Sequence, residues 1–248
     1  MKILFAPSEG KVIPQDLHKS HFHKALGEDS CLLPPIRAAL EAYREYLMHA
    51  PESKIATLFG SKALDMHTLA LCQNILNTPR IQAIELYNGV AYKALDFEHL
   101  DTRAKAYICE NVYIFSNLFG AVQAGEYLPY YNLHQGKGVG AFELKTLYRG
   151  LKAYLDAHFK DSQVLDLRPE IYMKAYSPSV HCHKVEFLKN AKKLSHYAKF
   201  YRGLYVRTLA QMGITSTSEL EKLEFPSLKL IDFKQLQNAT ILTYDIRS

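Results

Sequence analysis

Ser8, Glu9 and Lys11 stand within four positions of one another, just after the apolar run Ile3 to Ala6 that Pro7 interrupts. Loops that leave strand ends in this way carry much of the chemistry of α/β proteins. A lysine there can hold a phosphate, or act as a base or nucleophile once burial strips its water. The stretch lacks the G-x-x-x-x-G-K-[ST] spacing of a nucleotide P-loop, which argues against ATP hydrolysis. A lysine that only braces its own loop is the alternative. Arg168 and Tyr172 follow a second strand-like run, Val164 to Leu167, in the same manner, and Tyr87 and Tyr92 bracket Asn88-Gly89. Brought together, Ser8, Glu9, Lys11, Tyr87, Tyr92, Arg168 and Tyr172 would line a cationic, tyrosine-rich cleft. Such a cleft suits a nucleotide, a flipped base or a phosphate, because tyrosine rings stack and guanidinium forks grip oxyanions. Lys11, Arg168 and Tyr172 are its candidate catalytic residues.

A second constellation lies near the C-terminus. Between Lys184 and Met212 stand Lys184, Lys189, Lys192, Lys193, Lys199, Arg202 and Arg207 against the single acid Glu186. On a helical wheel His196, Lys199, Arg202 and Arg207 share one broad side, with Tyr197, Phe200, Tyr201, Leu204 and Tyr205 on the other. This predicts an amphipathic helix with a cationic outer face. Met212-Gly213-Ile214 ends it, and Ser216 with Glu219 suits a capped start for a shorter helix over 216–223. Helix, apolar-Gly-apolar turn and capped helix is the layout of a helix-hairpin-helix over about 196–223. In that reading Lys192, Lys193, His196, Lys199, Arg202, Arg207 and Gly213 contact DNA phosphates, by charge and by backbone N–H groups. In the competing reading Gly213 is a helix C-cap and the charges are a solvated face, with Arg202 turned inward toward Glu170 or another acid.

Other clusters carry less. Gly136-Lys137-Gly138-Val139-Gly140 has no clear strand before it and reads as a loop. His18, His21 and His23, and His181, Cys182 and His183, lack an orthodox metal-ligand spacing, so no metal and no cofactor is expected. The four cysteines, Cys31, Cys72, Cys109 and Cys182, form no C-x-x-C pair, which disfavours a zinc ribbon or a redox dithiol.

The elements that must position these residues are those of a folded α+β (mixed α/β) chain. Of 248 residues 48% are hydrophobic, enough for a sizeable core, and the net charge of +5 permits an acidic partner without demanding one. No apolar run approaches a membrane span or a signal peptide, so a cytoplasmic protein with reduced thiols and no membrane partner is expected. Helices are predicted over 36–49, 61–76, 98–109, 142–159 and 196–212. Strands are predicted over 3–6, 112–115, 164–167, 185–188, 228–231 and 239–244. Asn88-Gly89 between two β-rich runs predicts a hairpin, since Asn-Gly favours a type I′ turn. No repeat or linker divides the chain, and one domain over 1–248 is expected.

Several segments, in order, resemble the YaaA family. Ala6-Pro7-Ser8-Glu9-Gly10-Lys11 is similar to its N-terminal loop, and Tyr87 to Asp96 to its Y-x-G-x-x-Y segment. Ile114 to Gly120, with Pro129-Tyr130, resembles its S-x-L-[YF]-G…P-Y segment. Asp166-Leu167-Arg168 with Tyr172 resembles its N/D-L-x-S-x-x-Y motif. Ala198-Lys199, Arg202-Gly203 and Arg207 match its A-K-x-x-R-G-x-x-x-R helix. The chain departs from the pattern at Gln123 and at Tyr131, where many relatives have arginine, and at Pro169, where they have serine. The resemblance implies a mixed α/β fold particular to the family and a link to peroxide stress and intracellular iron control. It also implies DNA binding through a helix-hairpin-helix. Two functions are therefore expected to compete. One is binding of duplex or branched DNA in the oxidative stress response, limiting iron-dependent damage. The other is binding or turnover of a nucleobase, nucleotide or small phosphorylated compound in the Lys/Arg/Tyr pocket.

Overall fold

A computed structural model of the chain describes residues 1–13, 22–27, 31–189, 192–193 and 195–247, and His18 and His21 lie outside them. Strand β1 (Lys2–Phe5) buries Ile3, Leu4 and Phe5 almost completely, as a strand inside a parallel sheet requires. Three helices follow, α1 (Pro34–His49), α2 (Glu52–Leu58) and α3 (Met66–Gln73). Helix α1 opens on prolines, whose missing N–H groups fall where no intrahelical acceptor exists, and it buries Ala39, Leu40, Tyr43 and Leu47. The helix predicted over 61–76 begins only at Met66. Asp65 stops it from starting earlier, its carboxylate accepting from the N–H groups of His67 and Thr68.

Next come β2 (Arg80–Gln82), α4 (Ala83–Leu86) and α5 (Val90–Leu95), which correct the predicted hairpin. Gly89 is extended, with φ −165°, so no type I′ turn forms at Asn88-Gly89. The backbone around Tyr87, extended just after α4, finds its partner in the N-terminal loop instead. Val12 N–H donates to Leu86 O and Asn88 N–H to Gly10 O, both at 2.8 Å, and Lys11 bridges Tyr87 antiparallel. A long-range ladder has displaced the local one.

The chain continues through α6 (Thr102–Asn111), β3 (Val112–Ser116), β4 (Gly120–Gln123), β5 (Tyr127–Pro129) and α7 (Leu144–Phe159). Then follow β6 (Val164–Asp166), α8 (Glu170–Ala175), β7 (Cys182–Lys189), β8 (Lys192–Lys193) and α9 (Ser195–Met212). The helix predicted over 216–223 is a 3-10 helix, Thr217–Lys222, opened by a capping box between Ser216 and Glu219. It leads to β9 (Leu228–Gln235) and β10 (Ala239–Ile246).

Among the described residues one sheet runs in the order β4-β3-β1-β6-β7-β10-β9, with β8 against β7, while β2 and β5 pair separately. Strands β3, β1, β6, β7 and β10 are mutually parallel, and β4, β8 and β9 run antiparallel to their neighbours. The fold is mixed α/β with a parallel centre, rather than helices and strands in separate blocks. From β1 the chain reaches β3 on one side and later β6 on the other. The order therefore reverses between β1 and β6, and a crevice opens beyond their carboxyl ends.

Candidate functional site

That crevice is a cleft of about 270 Å³. The turn after β1 supplies Ser8 and Glu9, the turn after β6 supplies Pro169, and α8 supplies Tyr172. The start of α5 supplies Tyr92, and one side of α9 supplies Lys199 and Arg202. Both tyrosine hydroxyls are turned into the protein, Tyr92 donating to Ala6 O at 2.9 Å and Tyr172 to Asn117 Oδ1 at 2.7 Å. Their rings are thus left as apolar wall. Ser8 Oγ donates to Asn88 O at 3.3 Å, and Glu9 Oε1 accepts from the Gln135 N–H at 2.7 Å.

Close backbone approaches hold these segments together. A Cβ at Gly10 would overlap the Asn88 carbonyl oxygen, and a Cβ at Gly203 would overlap that of Ala91. Gly203 therefore lets α9 lie directly on α5. Arg207, one turn on, donates to the carbonyls of Leu95 at 2.9 Å and Asp96 at 3.0 Å, and pairs with the Asp96 carboxylate at 3.0 Å. It satisfies the C-terminus of α5, where Asp96 takes the left-handed φ of 50°.

Arg202 is the unusual group. Its Nε is buried with no hydrogen-bond partner, and no ion pair joins it to an acid among the described residues. Burial lowers its pKa from the ordinary arginine value, and the nearby Asp166 carboxylate opposes that shift. A buried guanidinium N–H without an acceptor is costly, and native proteins seldom leave one unless something else completes it. Lys199, exposed, adds a second cation at the mouth.

The structure separates other expected residues from this cleft. Lys11 Nζ points behind the loop, 3.4 Å from each of the Ser8 and Glu9 carbonyl oxygens and 4.4 Å from the Tyr131 ring centroid. Burial lowers its pKa to about 8, against the opposing charges of Glu9 and Cys72. Tyr87 lies in the core, its hydroxyl 2.8 Å from that of Tyr131, and Tyr131 in turn meets Ser116 Oγ at 2.8 Å. Arg168 is 1% exposed and committed internally. Its Nε and Nη2 donate to Asp166 at 2.8 and 2.7 Å, Nη2 also to Tyr176 O at 2.9 Å, and its plane lies 4.0 Å from the Phe115 ring centroid. Arg168 braces the sheet rather than facing a ligand.

The cationic outer face predicted for α9 is also rearranged. Arg202 and Arg207 turn toward the cleft and α5, whereas Tyr197 and Phe200, placed by the wheel on the inner side, are 49% and 44% exposed. The wheel's polarity misleads because α9 packs on two sides, with Tyr201 and Tyr205 against Phe187 and Gly203 against α5. Lys192 is exposed, and the side chains of Lys193 and His196 lie outside the described residues. Gly213, at φ 68°, ends α9, with the Ile214 N–H reaching back to Leu209 O at 3.0 Å. Of the clusters read as incidental, His23 meets Arg80 Nη2 at 2.8 Å and His181 meets Thr240 Oγ1 at 2.9 Å. The sequence reading missed that Lys199 and Arg202 share a cleft with Ser8 and Glu9, and it overlooked Gln135. The available signal was the Arg202-Gly203 pair, since a glycine inside a helix marks close packing that carries its neighbour inward.

The positions at which this chain departs from the family pattern fall in two places. Pro169 lines the cleft, while Gln123 and Tyr131 do not: Gln123 donates to Glu110 O at 2.8 Å, and Tyr131 is in the core. A family model described as peroxide stress protein YaaA matches residues 1–232. An uncharacterized protein of Campylobacter jejuni is 35% identical over 98% of both chains. A UPF0246 protein of Streptomyces coelicolor is 30% identical over 90% of this chain and 88% of its own, and one of Neisseria gonorrhoeae is 25% identical over 81% and 80%. With a match that covers the cleft residues on both β1 and α9, this chain belongs to the peroxide stress protein YaaA family.

Proposed function

We propose that this protein binds a small phosphorylated, nucleotide-like compound in the crevice between the β1 and β6 turns. The observation that carries the reading is the buried Arg202 Nε without an acceptor. An oxyanion reaching the cleft would complete that guanidinium, with Lys199 adding charge at the mouth. The rings of Tyr92 and Tyr172 offer planar apolar wall of the kind that bases occupy. The test is thermal unfolding with inorganic phosphate and nucleoside phosphates. A ligand at a hundred times its Kd stabilises by about 2.7 kcal/mol, a shift of several degrees. Arg202→Met should abolish the shift while leaving the unliganded protein as stable as before or more so, because a buried N–H without an acceptor is gone. An equal shift in Arg202→Met would overturn the assignment.

A second reading is contact with duplex or branched DNA in the peroxide stress role that the family name indicates, limiting iron-dependent damage. Its support is the exposed Lys199 at the cleft and the exposed Lys192 on β8, with Lys189 4.9 Å from the Tyr197 ring centroid, together with the glycine turn at Gly213 as a hairpin. Arg207 is not counted, being engaged with α5. Binding to a labelled duplex across a salt series tests it. Lys192→Gln with Lys199→Gln should flatten the log–log slope by about 0.9 for each phosphate that is no longer neutralised. An unchanged slope would remove these lysines from any DNA interface.

A further inference from the structure

The cleft that contains Arg202 also contains a carboxylate. Glu9 lines the same 270 Å³ space, and its carboxylate is oriented by the Gln135 N–H at 2.7 Å. Its charge acts within the site, helping to raise the pKa of Tyr172, which lines the cleft, and of Tyr131 behind it, although burial is the larger cause for both. The loop carrying it is pinned twice. Gly10 is packed on the Asn88 carbonyl, and Lys11 Nζ lies 3.4 Å from the Glu9 carbonyl oxygen. Glu9 is therefore placed in the cleft by its surroundings rather than swinging freely in solvent.

A carboxylate and a half-buried guanidinium lining one cleft have a clear consequence for selection. A ligand that is anionic over its whole surface gains from Arg202 and Lys199 but is repelled by Glu9. An ionised carboxylate only accepts hydrogen bonds, with about four lone-pair sites, and Gln135 fills one of them. We propose that Glu9 selects ligands carrying an anionic group at one end and an N–H or O–H donor edge at the other. Resting on the anion-cleft reading above, this narrows the ligand class to nucleotides recognised at a sugar diol or an amino-bearing base edge, and disfavours bare phosphate or polyphosphate. Both donor edges share one chemistry and can be told apart by analogues.

The experiment is calorimetric titration of wild type, Glu9→Gln and Arg202→Met with inorganic phosphate, AMP, 2′-deoxy-AMP and IMP. Glu9 is exposed and the Gln135 bond goes to an oxygen that glutamine retains, so Glu9→Gln should fold; Glu9→Ala serves as a second variant. Wild type should prefer AMP to inorganic phosphate by about tenfold or more, as expected for a hydrogen bond to a charged acceptor. In Glu9→Gln that preference should shrink, with phosphate bound more tightly than by wild type. A loss confined to 2′-deoxy-AMP assigns the diol, and a loss confined to IMP assigns the base amine. An AMP-over-phosphate preference that is the same in wild type, Glu9→Gln and Glu9→Ala, with Arg202 still required, would overturn the role of Glu9 and leave the anion cleft standing. No binding of any of the four compounds by wild type would overturn both.

Discussion

Lys11 and Arg168 stand beside strand ends where cations often meet ligands, yet both are turned to internal acceptors. Chain position was legible in the sequence, because Pro7 and the apolar runs mark where β1 and β6 stop. Side-chain direction was not, since it depends on partners far away in sequence: Tyr131 beneath Lys11, and Phe115 beside Arg168. Ser8, Glu9, Tyr92 and Tyr172 do reach one cleft, and Arg202 reaches it from a helix read for a different purpose. The buried state of Lys11 has a measurable signature. Its pKa falls from the ordinary 10.5 to about 8, so between those values the unfolded chain binds the proton that the folded chain has released. Stability relative to Lys11→Met should therefore rise as pH climbs from about 8 toward 10.5, and should be lost again as pH falls through 8. Urea unfolding of both proteins at pH 7, 8 and 9.5 checks this. A difference that stays flat, or falls with pH, would mean that Lys11 keeps its water.

At the scale of elements, α1, α7 and α9 and the buried strands were legible, because their apolar residues repeat over several turns or fill a whole short run. Helices α4 and α5 were not. Four and six residues are too few to show a period, and the β-rich composition of 84–92 is used in a ladder with residues 10–12 that no local pattern reveals. The separate β2–β5 ladder escaped for the same reason, at three residues a strand. The contact of α5 with α9 is the junction on which the cleft depends. Gly203→Ala would drive a methyl group into the Ala91 carbonyl, a backbone atom that cannot rotate away. A loss of about 1–3 kcal/mol in unfolding free energy is expected. Ligand affinity should fall with it, because Tyr92 and Arg202 stand on the two helices being forced apart. Wild-type stability in Gly203→Ala would show that the helices can separate at no cost.

For the whole molecule, a mixed α/β class could be read from alternating helix and strand patterns, but strand order could not. Order depends on crossovers, and only the assembled sheet places the reversal between β1 and β6. The family match stops at residue 232, inside β9, yet β10 lies between β7 and β9 and pairs with β7 along seven residues. A chain ending at Asp232 would leave that side of β7 without its partner and the apolar side chains of Leu242 and Tyr244 missing from the core. It should lose cooperative unfolding by circular dichroism, whereas a chain retaining β10 keeps it. A sharp transition in the shortened chain would make the final hairpin dispensable.

The cleft also joins the first ten residues to positions 199–202. In synthesis the Ser8–Glu9 wall precedes the opposing one by most of the sheet, and that second wall waits for α9. Strand β1 likewise waits for β3 and β6, its neighbours on either side. The cleft is thus complete only in a chain that extends through α9. A chain that stops short of α9 offers only one wall of it, without Lys199 or Arg202.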